Sequence, residues 1–446
     1  MYIKLIQPRM EKRPMDTDIK THMSPPLGLY TIANMLRNRH TVSVENENTG
    51  IIRLSDRPDA VGISVTVDTF PRAVRIARYF RKRGIPVIAG GIYVTTAYNF
   101  IPKGCFDALC IGAAELTWNN IADDLQNGCL KPVYRCPGTM TGADIISPAY
   151  DMIKRDKYLY CNIVHTSRGC PYRCDFCYNS AAERRYINRP AEDVINDIKA
   201  VGSKHIMFID DNFTGNLNWT RDFMKKLKPL NLKWNAASSI DIARHEDMLE
   251  EMKRCGCQSL FIGFESINGG SVGGVHKVQN HVDEYDKAVK IIHGKGIMIN
   301  ASFVFGLDSD TPRVFRDTLD WVVKNRIETV TSHILTPYPG TKLYEDMRRK
   351  NRIVSRDLSL YNTAHVVFKP MKMTERELYD GYLWIYRNVY SFKNILKRMP
   401  LNSSQIVPYL LFNLFYRKFG GFTDGLCKLV GYNKIGELAE KISRYI

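Results

Sequence analysis

The feature that most constrains this chain is an alternation of strand-like and helix-like segments, which occupies residues 1–135 and then begins again. Short apolar runs rich in β-branched residues predict strands at Tyr2–Gln7, Thr41–Glu45, Ala60–Val65, Pro86–Ala89 and Ala108–Ile111. Helices are predicted between them at Pro26–Arg37, Pro71–Lys82 and Leu116–Leu125. Strands joined by helices of this length run parallel, so residues 1–135 predict a doubly wound α/β domain.

The second alternation follows a connector, residues 136–158, which prolines and glycines interrupt. Its predicted strands are Asn162–Thr166, His205–Ile209, Leu232–Ala236, Ser259–Phe264, Ile297–Phe305 and Thr329–Leu335. Its predicted helices are Glu192–Val201, Trp219–Lys228, Glu246–Cys255, Val282–His293 and Pro312–Lys324. Six strands with crossover helices predict a curved parallel sheet over residues 159–350, either a full barrel or most of one. Sites on barrels lie at the C-terminal ends of the strands, so motifs there are the most informative.

Residues 351–446 predict a third, helical region that is rich in aromatic side chains. Within it, Ser391–Gly420 has five basic residues and no acidic residue, and it includes the apolar run Ile406–Phe415. This run is too short to span a bilayer, which takes about 20 helical residues. Two interpretations remain. The segment contacts a lipid surface or an apolar substrate, or it is an amphipathic helix packed on the barrel with its basic ends in solvent.

The chain of 446 residues has 11 cysteines and a formal net charge of +17. An odd cysteine count in a long chain argues against a disulfide scaffold, and the N-terminus lacks the apolar core of a signal peptide. We therefore expect a cytoplasmic protein whose clustered cysteines bind metal. With 44% hydrophobic and 24% charged residues, disorder is excluded. The positive charge favours acidic partners such as phosphates, nucleic acid or an anionic membrane surface, and the alternative is a basic surface without such a partner.

Three cysteines are spaced C-x3-C-x2-C directly after the first predicted barrel strand. They are Cys170, Cys174 and Cys177. Three thiolates on one short loop can hold three irons of a [4Fe–4S] cluster and leave the fourth iron open. One alternative is a structural zinc ion, although zinc sites usually show two C-x2-C pairs or cysteine with histidine. The other is three cysteines that share no ligand.

This motif, with the aromatic Phe176 before its last cysteine, resembles the signature of the radical S-adenosylmethionine (SAM) superfamily. The resemblance implies a partial (β/α)6 barrel, in agreement with the six strands above. It implies that the open iron binds the amino and carboxylate groups of SAM, and that the reduced cluster cleaves SAM to a 5′-deoxyadenosyl radical. That radical abstracts hydrogen from a substrate. An external electron donor, such as flavodoxin or ferredoxin, is also implied.

Two adjacent carboxylates, Asp210 and Asp211, end the second predicted barrel strand. The resemblance implies that one of them accepts a charge-assisted hydrogen bond from the amino group of SAM. The alternative is an Asp–Asn cap of the following helix.

Further candidates for SAM binding stand at the ends of the next strands. Glu265 or Ser266, after the fourth strand, could hold the ribose hydroxyls, and Ser238, after the third, is a weaker candidate. Phe305 precedes Gly306 in a segment that resembles the adenine-contacting segment of the family. An ordinary turn or cap is the alternative at each position.

The first predicted domain resembles the cobalamin-binding domain of one radical SAM subgroup, which includes hopanoid methylases and the anaerobic protoporphyrin ester cyclase. The similar segments of this domain are residues 25–29 and Gly90-Gly91. After the sixth barrel strand, the Pro-Tyr-Pro-Gly-Thr sequence at 337–341 resembles a segment of radical enzymes that have such a domain, and a Pro-Gly turn is the alternative. The chain lacks an Asp-x-His-x-x-Gly motif, so no lower histidine ligand to cobalt is predicted. Residues 90–93 and 111–115 also depart from the subgroup's pattern. The alternative to bound cobalamin is a degenerate domain kept for packing.

The sequence thus predicts a radical SAM enzyme that acts on a small-molecule or lipid-like substrate. Cobalamin-dependent C-methylation is the leading reaction, and cobalamin-independent isomerisation, cyclisation or carbon–carbon bond formation is the alternative. A basic nucleic-acid-binding protein with a structural metal is the non-enzyme alternative. It is disfavoured because no RNA-binding module or stacking pattern is evident. No residue of the sequence identifies the substrate.

Overall fold

The computed structural model of the protein describes residues 1–182 and 185–444, and it begins with a parallel six-stranded sheet in the order β2-β1-β3-β4-β5-β6. The strands are β1 (Tyr2–Gln7), β2 (Thr41–Asn46), β3 (Ala60–Ser64), β4 (Val87–Gly90), β5 (Ala108–Ile111) and β6 (Val133–Arg135). The helices are α1 (Leu27–Leu36), α2 (Phe70–Arg81), α3 (Ile92–Ala97) and α4 (Trp118–Gln126). The order 2-1-3-4-5 is that of flavodoxin-like doubly wound sheets, so the predicted fold class is confirmed.

The first sheet is covered on both faces, as its continuous apolar strands require. One face packs against α1 and α4, and the other packs against α2 and α3. The predicted strands of this sheet are all present, with bounds within two residues of the expectation. Strand β6 was not predicted, because a run of three residues is too short to show a period.

The second sheet is also wholly parallel, and its order β14-β13-β12-β11-β10-β7 follows the chain. The strands are β7 (Ile163–Val164), β10 (His205–Phe208), β11 (Lys233–Ser238), β12 (Cys257–Glu265), β13 (Met298–Phe305) and β14 (Thr329–Ile334). A small antiparallel pair, β8 (Ser167–Arg168) and β9 (Ile187–Asn188), lies between β7 and β10 in the chain. Since β7 and β14 are the two edges of this sheet, the barrel is partial rather than full.

The helices of the second unit include the crossover connections between the barrel strands. They are α5 (Tyr178–Ala181), α6 (Ala191–Val201), α7 (Leu217–Leu227), α8 (Glu246–Arg254), α9 (Gly269–Gly273), α10 (Tyr285–Gly294), α11 (Val314–Lys324) and α12 (Lys342–Arg349). Alternate residues of β14, namely Val330, Ser332 and Ile334, are buried, whereas Thr331 and His333 are half-buried. Successive strand side chains point to opposite faces. The side chains on one face of β14 are therefore fully packed, whereas those on the other face keep some accessible surface.

A third, helical region follows, as predicted. Its helices are α13 (Glu375–Val389), α14 (Phe392–Lys397), α15 (Ser403–Leu410), a π-helix (Leu411–Lys418), α16 (Gly420–Val430) and α17 (Tyr432–Arg444). A Thr374/Glu377 capping box starts α13. No helix within the described residues is both long and apolar enough to cross a membrane.

Helix α13 protects the free edge of β14, which would otherwise expose unpaired backbone groups. The Tyr390 hydroxyl donates to Val330 O (2.5 Å) and lies 3.1 Å from Val330 N, which can donate to it. The Tyr386 hydroxyl lies 3.2 Å from Ser332 O and 3.4 Å from Ser332 N. The two tyrosine hydroxyls therefore make hydrogen bonds with backbone groups at the edge of β14, where no further strand is present to bond them.

The basic stretch Ser391–Gly420 is not a uniformly solvated face. Arg398 is 0% exposed and donates to Ile327 O (2.7 Å), Glu328 O (3.0 Å) and Val389 O (2.8 Å). Lys393, Lys397 and Lys418 are exposed. The expectation that the basic ends of this segment lie in solvent is therefore wrong for Arg398, which ties α14 to the start of β14 through backbone carbonyls.

Candidate active site

The three cysteines lie on a loop at the C-terminal side of β7 and β8, before α5. Cys174 is buried, Cys170 and Cys177 are half-buried, and all three are free thiols. Burial raises the pKa of each thiol, to about 11 for Cys174. A buried thiolate needs nearby positive charge, and a bound metal centre supplies it. The donor set thus fits a metal centre that binds thiolates.

Within the described ranges, no three His, Cys, Asp or Glu side chains come close enough together to hold a single metal ion. A [4Fe–4S] cluster does not need such convergence, because each thiolate binds a different iron.

The cysteine loop is held in place by Asp175, which lies between its second and third cysteines. The Asp175 carboxylate is 2.5 Å from Lys342 Nζ and 2.7 Å from His276 Nδ1. Its amide donates to Val275 O, and its carbonyl accepts from the amide of Leu343. The loop is thereby clamped between the segment after β12 and the start of α12, and this preorganises its shape.

The two predicted aspartates have different environments. Asp210 is 5% exposed, and its carboxylate accepts bonds from the amides of Thr166 (2.8 Å) and Ser167 (2.6 Å) and from both their hydroxyls. Burial raises the pKa of Asp210 to about 6 against these four bonds. Asp210 therefore fixes the segment that leads into the cysteine loop.

Asp211 is exposed and lies beside the cysteine loop. After burial, its negative charge is among the causes that raise the pKa of Cys170 and Cys177. Asn212 also acts on the loop, because it is among the causes that lower the pKa of Cys170, and it donates to Ser239 Oγ at 2.7 Å. Of the two carboxylates, Asp211 is thus the one that faces the thiols.

Glu265 has a left-handed backbone conformation (φ 63°) at an irregularity between β12 and β13. Its carboxylate pairs with Lys277, which also donates to Gly263 O at 3.0 Å. Burial raises the pKa of Cys174 and Cys177, and the positive charge of Lys277 opposes this. Lys277 therefore lies between the Glu265 carboxylate and the thiols. Sequence reasoning missed Lys277, because it stands in a loop and carries no motif.

The remaining predicted residues are largely occupied by protein contacts. The Ser238 hydroxyl lies 2.5 Å from Thr214 Oγ1, and the Ser266 hydroxyl donates to Asp310 at 3.5 Å. Phe305 is 1% exposed and packs on Phe315, with ring centroids 4.8 Å apart. Phe176 is half-buried against the barrel core. A Cβ on Gly306 would meet Leu378 at 2.7 Å, so the close approach predicted there is to α13.

The first sheet meets the barrel at the cysteine loop. Glu115, in the loop after β5, is 8% exposed and forms an ion pair with Arg168, two residues before Cys170. Gly340, in the Pro-Tyr-Pro-Gly-Thr turn, has φ 91°, and a Cβ there would lie 2.2 Å from Thr96 O at the end of α3. Glu115 thus links the two units by charge, although its surrounding motif departs from the expected pattern.

Six half-buried side chains share one electrostatic property, and we call the region that they occupy the interior space: Asp68, His165, Tyr178, His333, Tyr338 and Tyr416. All six are half-buried, yet burial is the largest cause of each pKa shift. It lowers the pKa of His165 and His333 to about 3 and raises the pKa of the aspartate and the tyrosines.

The interior space reaches the cysteine loop. Tyr178 directly follows Cys177 and stacks on Tyr338, with ring centroids 4.3 Å apart and planes at 27°. Asp68, which follows β3, acts electrostatically on both tyrosines. The space therefore lies at the C-terminal edges of both sheets, where parallel sheets bind ligands.

Comparison with known proteins identifies the central part of the chain. The radical SAM superfamily matches residues 164–322. Bacteriochlorophyllide d C-12(1)-methyltransferase of Chlorobaculum tepidum is 29% identical, over 93% of this chain and 93% of that protein. Hopanoid C-2 methylase of Rhodopseudomonas palustris is 26% identical, over 77% of this chain and 68% of that protein.

Solved structures share the fold of both units. OxsB, a cobalamin-dependent SAM radical enzyme solved with aqua-cobalamin and SAM, superimposes with a TM-score of 0.67 at 15% identity, over 94% of this chain and 72% of that one. TsrM of Kitasatospora setae, a radical SAM methyltransferase solved with cobalamin and a [4Fe–4S] cluster, gives a TM-score of 0.62 at 14% identity, over 78% and 75%.

Proposed function

We propose that the chain is a radical SAM enzyme, as the match of residues 164–322 to that superfamily supports, and that it catalyses cobalamin-dependent C-methylation of a small molecule. A [4Fe–4S] cluster and SAM supply the 5′-deoxyadenosyl radical chemistry of this superfamily, and cobalamin would supply the methyl group. The observation that carries the proposal is the cysteine loop, which lies where a flavodoxin-like sheet meets a partial barrel. Two relatives named as methyltransferases, which match 93% and 78% of this chain, support it.

We propose that Cys170, Cys174 and Cys177 bind three irons and that the fourth iron is left for SAM. Asp211 is the better placed of the two aspartates to accept from the SAM amino group, while Asp210 positions the loop. Glu265, held by Lys277, is the candidate for the ribose hydroxyls. Four further residues contact other protein side chains: Phe176, Ser238, Ser266 and Phe305. They would support the walls of the same site through these contacts.

Cobalamin would occupy the interior space at the edge of the first sheet. Asp68, Tyr178 and Tyr338 face this space, which fits a ligand placed between the two units. No lower histidine ligand is expected from the sequence, so the protein would bind the corrin through its periphery. OxsB and TsrM, which have this fold, were solved with cobalamin.

The substrate class is proposed from the relatives, which are named for bacteriochlorophyllide d and hopanoid methylation. We propose a small, largely apolar molecule. An external donor such as flavodoxin or ferredoxin would reduce the cluster from the side on which Pro171 and Arg173 are exposed. An oxygen-sensitive cluster and 11 free cysteines suit a reducing cytoplasm.

We also propose that the segment 391–420 contacts an anionic lipid surface. Phe392 is 53% and Leu396 65% exposed beside the exposed Lys393 and Lys397. Binding at such an interface combines the burial of apolar side chains with electrostatic attraction to anionic lipid, which contributes about 1 kcal/mol for each basic residue near the surface. Cosedimentation should rise with anionic lipid and fall with salt. Equal binding to neutral and anionic vesicles would contradict the proposal.

The proposed function is tested by anaerobic purification, iron and sulfide analysis, the ultraviolet–visible spectrum with and without added cobalamin, and 5′-deoxyadenosine release under reduction. Changing Cys170, Cys174 and Cys177 together to alanine should remove iron, sulfide and SAM cleavage. Cys105, Cys129 and Cys136, in the first unit, give a matched triple alanine control that should retain all three. Full iron content in the first variant would refute the cluster assignment. A protein that cleaves SAM but takes up no cobalamin would instead support the cobalamin-independent reactions.

A further inference from the structure

Arg417, in the π-helix, is a positive charge in an aromatic enclosure. Its guanidinium carbon lies 4.9 Å from the ring centre of Tyr416, 5.5 Å from those of Tyr390 and Phe412, and 5.7 Å from that of Tyr386. Its Nε is fully buried and has no hydrogen-bond partner. Among residues 1–182 and 185–444, the Arg417 side chain makes no hydrogen bond and no ion pair.

Arg417 acts on the interior space. Burial, together with the charges of Arg13 and Arg417, lowers the pKa of His333 to about 3. Arg13 donates to Thr363 Oγ1 at 2.9 Å, and Thr363 Oγ1 lies 3.1 Å from His333 Nδ1. The two arginines, from chain regions about 400 residues apart, are thus both close to one interior histidine.

The local charges do not balance. Asp16 is 2.7 Å from Arg13 and 3.3 Å from Lys20, and its charge also helps to raise the pKa of Arg417, so one negative charge serves three cations. Asp68 is the other carboxylate whose charge interacts with Arg13, and burial raises its pKa, which favours its neutral form. The positive charge of Arg417 therefore has no carboxylate of its own.

A guanidinium without an anion is costly where a donor is desolvated, because that donor loses water and gains no acceptor, as at Arg417 Nε. Ring faces stabilise the charge, but they leave the in-plane N–H groups unpaired. The same planar fork matches the two oxygens of a carboxylate or phosphate. An anionic oxygen group on a ligand would satisfy both the charge and the unpaired donor.

We propose that Arg417 binds an anionic oxygen group of the substrate at the wall of the interior space, and that Arg13 contributes a second positive charge there. The substrate is then an amphipathic anion, with a carboxylate or phosphate at Arg417 and an apolar body against the tyrosine rings. This inference rests on the proposed function, since it names the substrate class of the same site. The phosphodiester of a bound corrinoid has the same chemistry, and the experiment separates the two sources.

The probes are 1-pyrenebutyrate and its uncharged counterpart 1-pyrenebutanol, which share the aromatic body and differ in the carboxylate. Equilibrium dialysis against the anaerobically purified, cluster-containing protein measures both dissociation constants. We expect the butyrate to bind at least about tenfold more tightly, as a charge-assisted hydrogen bond predicts. Equal affinity of the wild-type protein for the two probes would overturn the proposal without any variant.

Arg417→Met should remove the preference for the carboxylate, and Arg417→Lys should restore part of it, because lysine keeps the charge but loses the fork. Arg83→Met is the matched control, since Arg83 also lies over a ring, 4.1 Å from the centre of Tyr79, on the exposed surface. It should keep the preference. Iron content and the urea midpoint verify that each variant is folded.

Cobalamin uptake by the same variants separates the corrinoid source. Unchanged uptake in Arg417→Met together with a lost carboxylate preference supports the substrate site. Lost cobalamin uptake with an intact carboxylate preference would assign the anion to the corrinoid and overturn the proposal. Probe binding needs neither SAM cleavage nor methyl transfer. A protein that prefers the carboxylate but releases no 5′-deoxyadenosine would therefore contradict the proposed function alone.

Discussion

At the scale of single residues, Asp210 and Asp211 are adjacent in sequence and differ in role. Asp210 accepts four hydrogen bonds from Thr166 and Ser167, whereas Asp211 is exposed beside the thiols. Asp210→Asn would place amide donors against buried donors and should lower both iron content and the urea midpoint. Asp211→Asn should leave iron content unchanged and weaken SAM binding by about 1.5–3 kcal/mol, or roughly 10–150-fold.

Iron analysis and equilibrium dialysis with SAM distinguish these two outcomes. Asp222→Asn, on the exposed face of α7, is a carboxylate control that should change neither quantity. If Asp210→Asn kept its iron and its stability while losing SAM affinity, the two roles would be reversed.

At the scale of secondary-structure elements, the turn after β14 depends on close contact with α3. A Cβ on Gly340 would lie 2.2 Å from Thr96 O, and Gly340 has φ 91°. Gly340→Ala should therefore combine left-handed strain, of about 1–2 kcal/mol, with an overpacking cost of typically 1–3 kcal/mol. It should lower the urea midpoint and reduce cobalamin uptake, because the turn sets the distance between the two units.

Gly84→Ala provides the matched control for the strain alone. Gly84 has φ 74°, and a Cβ there would meet nothing within 4 Å. Gly84→Ala should be destabilised only by the left-handed strain, and its cobalamin uptake should be unchanged. If Gly340→Ala and Gly84→Ala changed the urea midpoint and cobalamin uptake equally, the contact between the turn and α3 would contribute to neither quantity.

At the scale of the whole molecule, three distant chain regions hold His333 in a desolvated, positively charged place. Burial, together with the charges of Arg13 and Arg417, lowers its pKa to about 3. The folded state therefore keeps His333 neutral while the unfolded state protonates it near pH 6.5. The stability from this group is present above about pH 6.5 and is lost as the pH falls toward 3. At pH 5 the loss should reach up to about 2 kcal/mol.

Urea unfolding of the wild-type protein and of His333→Gln, at pH 7.5 and pH 5, measures this loss. The difference in unfolding free energy between the two proteins should shift in favour of the glutamine variant at the lower pH. His281→Gln, at the start of the segment before α10, is a control for a general histidine effect. A wild-type loss between the two pH values that His333→Gln leaves unchanged would contradict the low pKa.

Most of the architecture was accessible from the sequence because its signals are local. Continuous apolar runs such as Ala60–Ser64, and helices whose apolar residues recur with the helical period, appear in the order of the chain. The C-x3-C-x2-C spacing is equally local, so the candidate ligands Cys170, Cys174 and Cys177 could be named at once. The sequence did not decide the roles of Asp210 and Ser266, because a carboxylate or hydroxyl at a strand end can make hydrogen bonds either with a ligand or with the protein itself.

Tertiary structure decided what depends on groups far apart in the chain. Lys277 became a candidate site residue only because the fold brings it to Glu265 and the cysteine loop. In the same way, the fold brings Arg168 of the barrel to Glu115 of the first sheet. The sequence showed Arg398 and Arg417 as members of one basic stretch. Packing buried Arg398 on backbone carbonyls and set Arg417 among aromatic rings, where it acts on His333. Sequence patterns report which residues lie inside. The charge that a buried residue meets is set by partners hundreds of residues away, and only the folded chain brings them together.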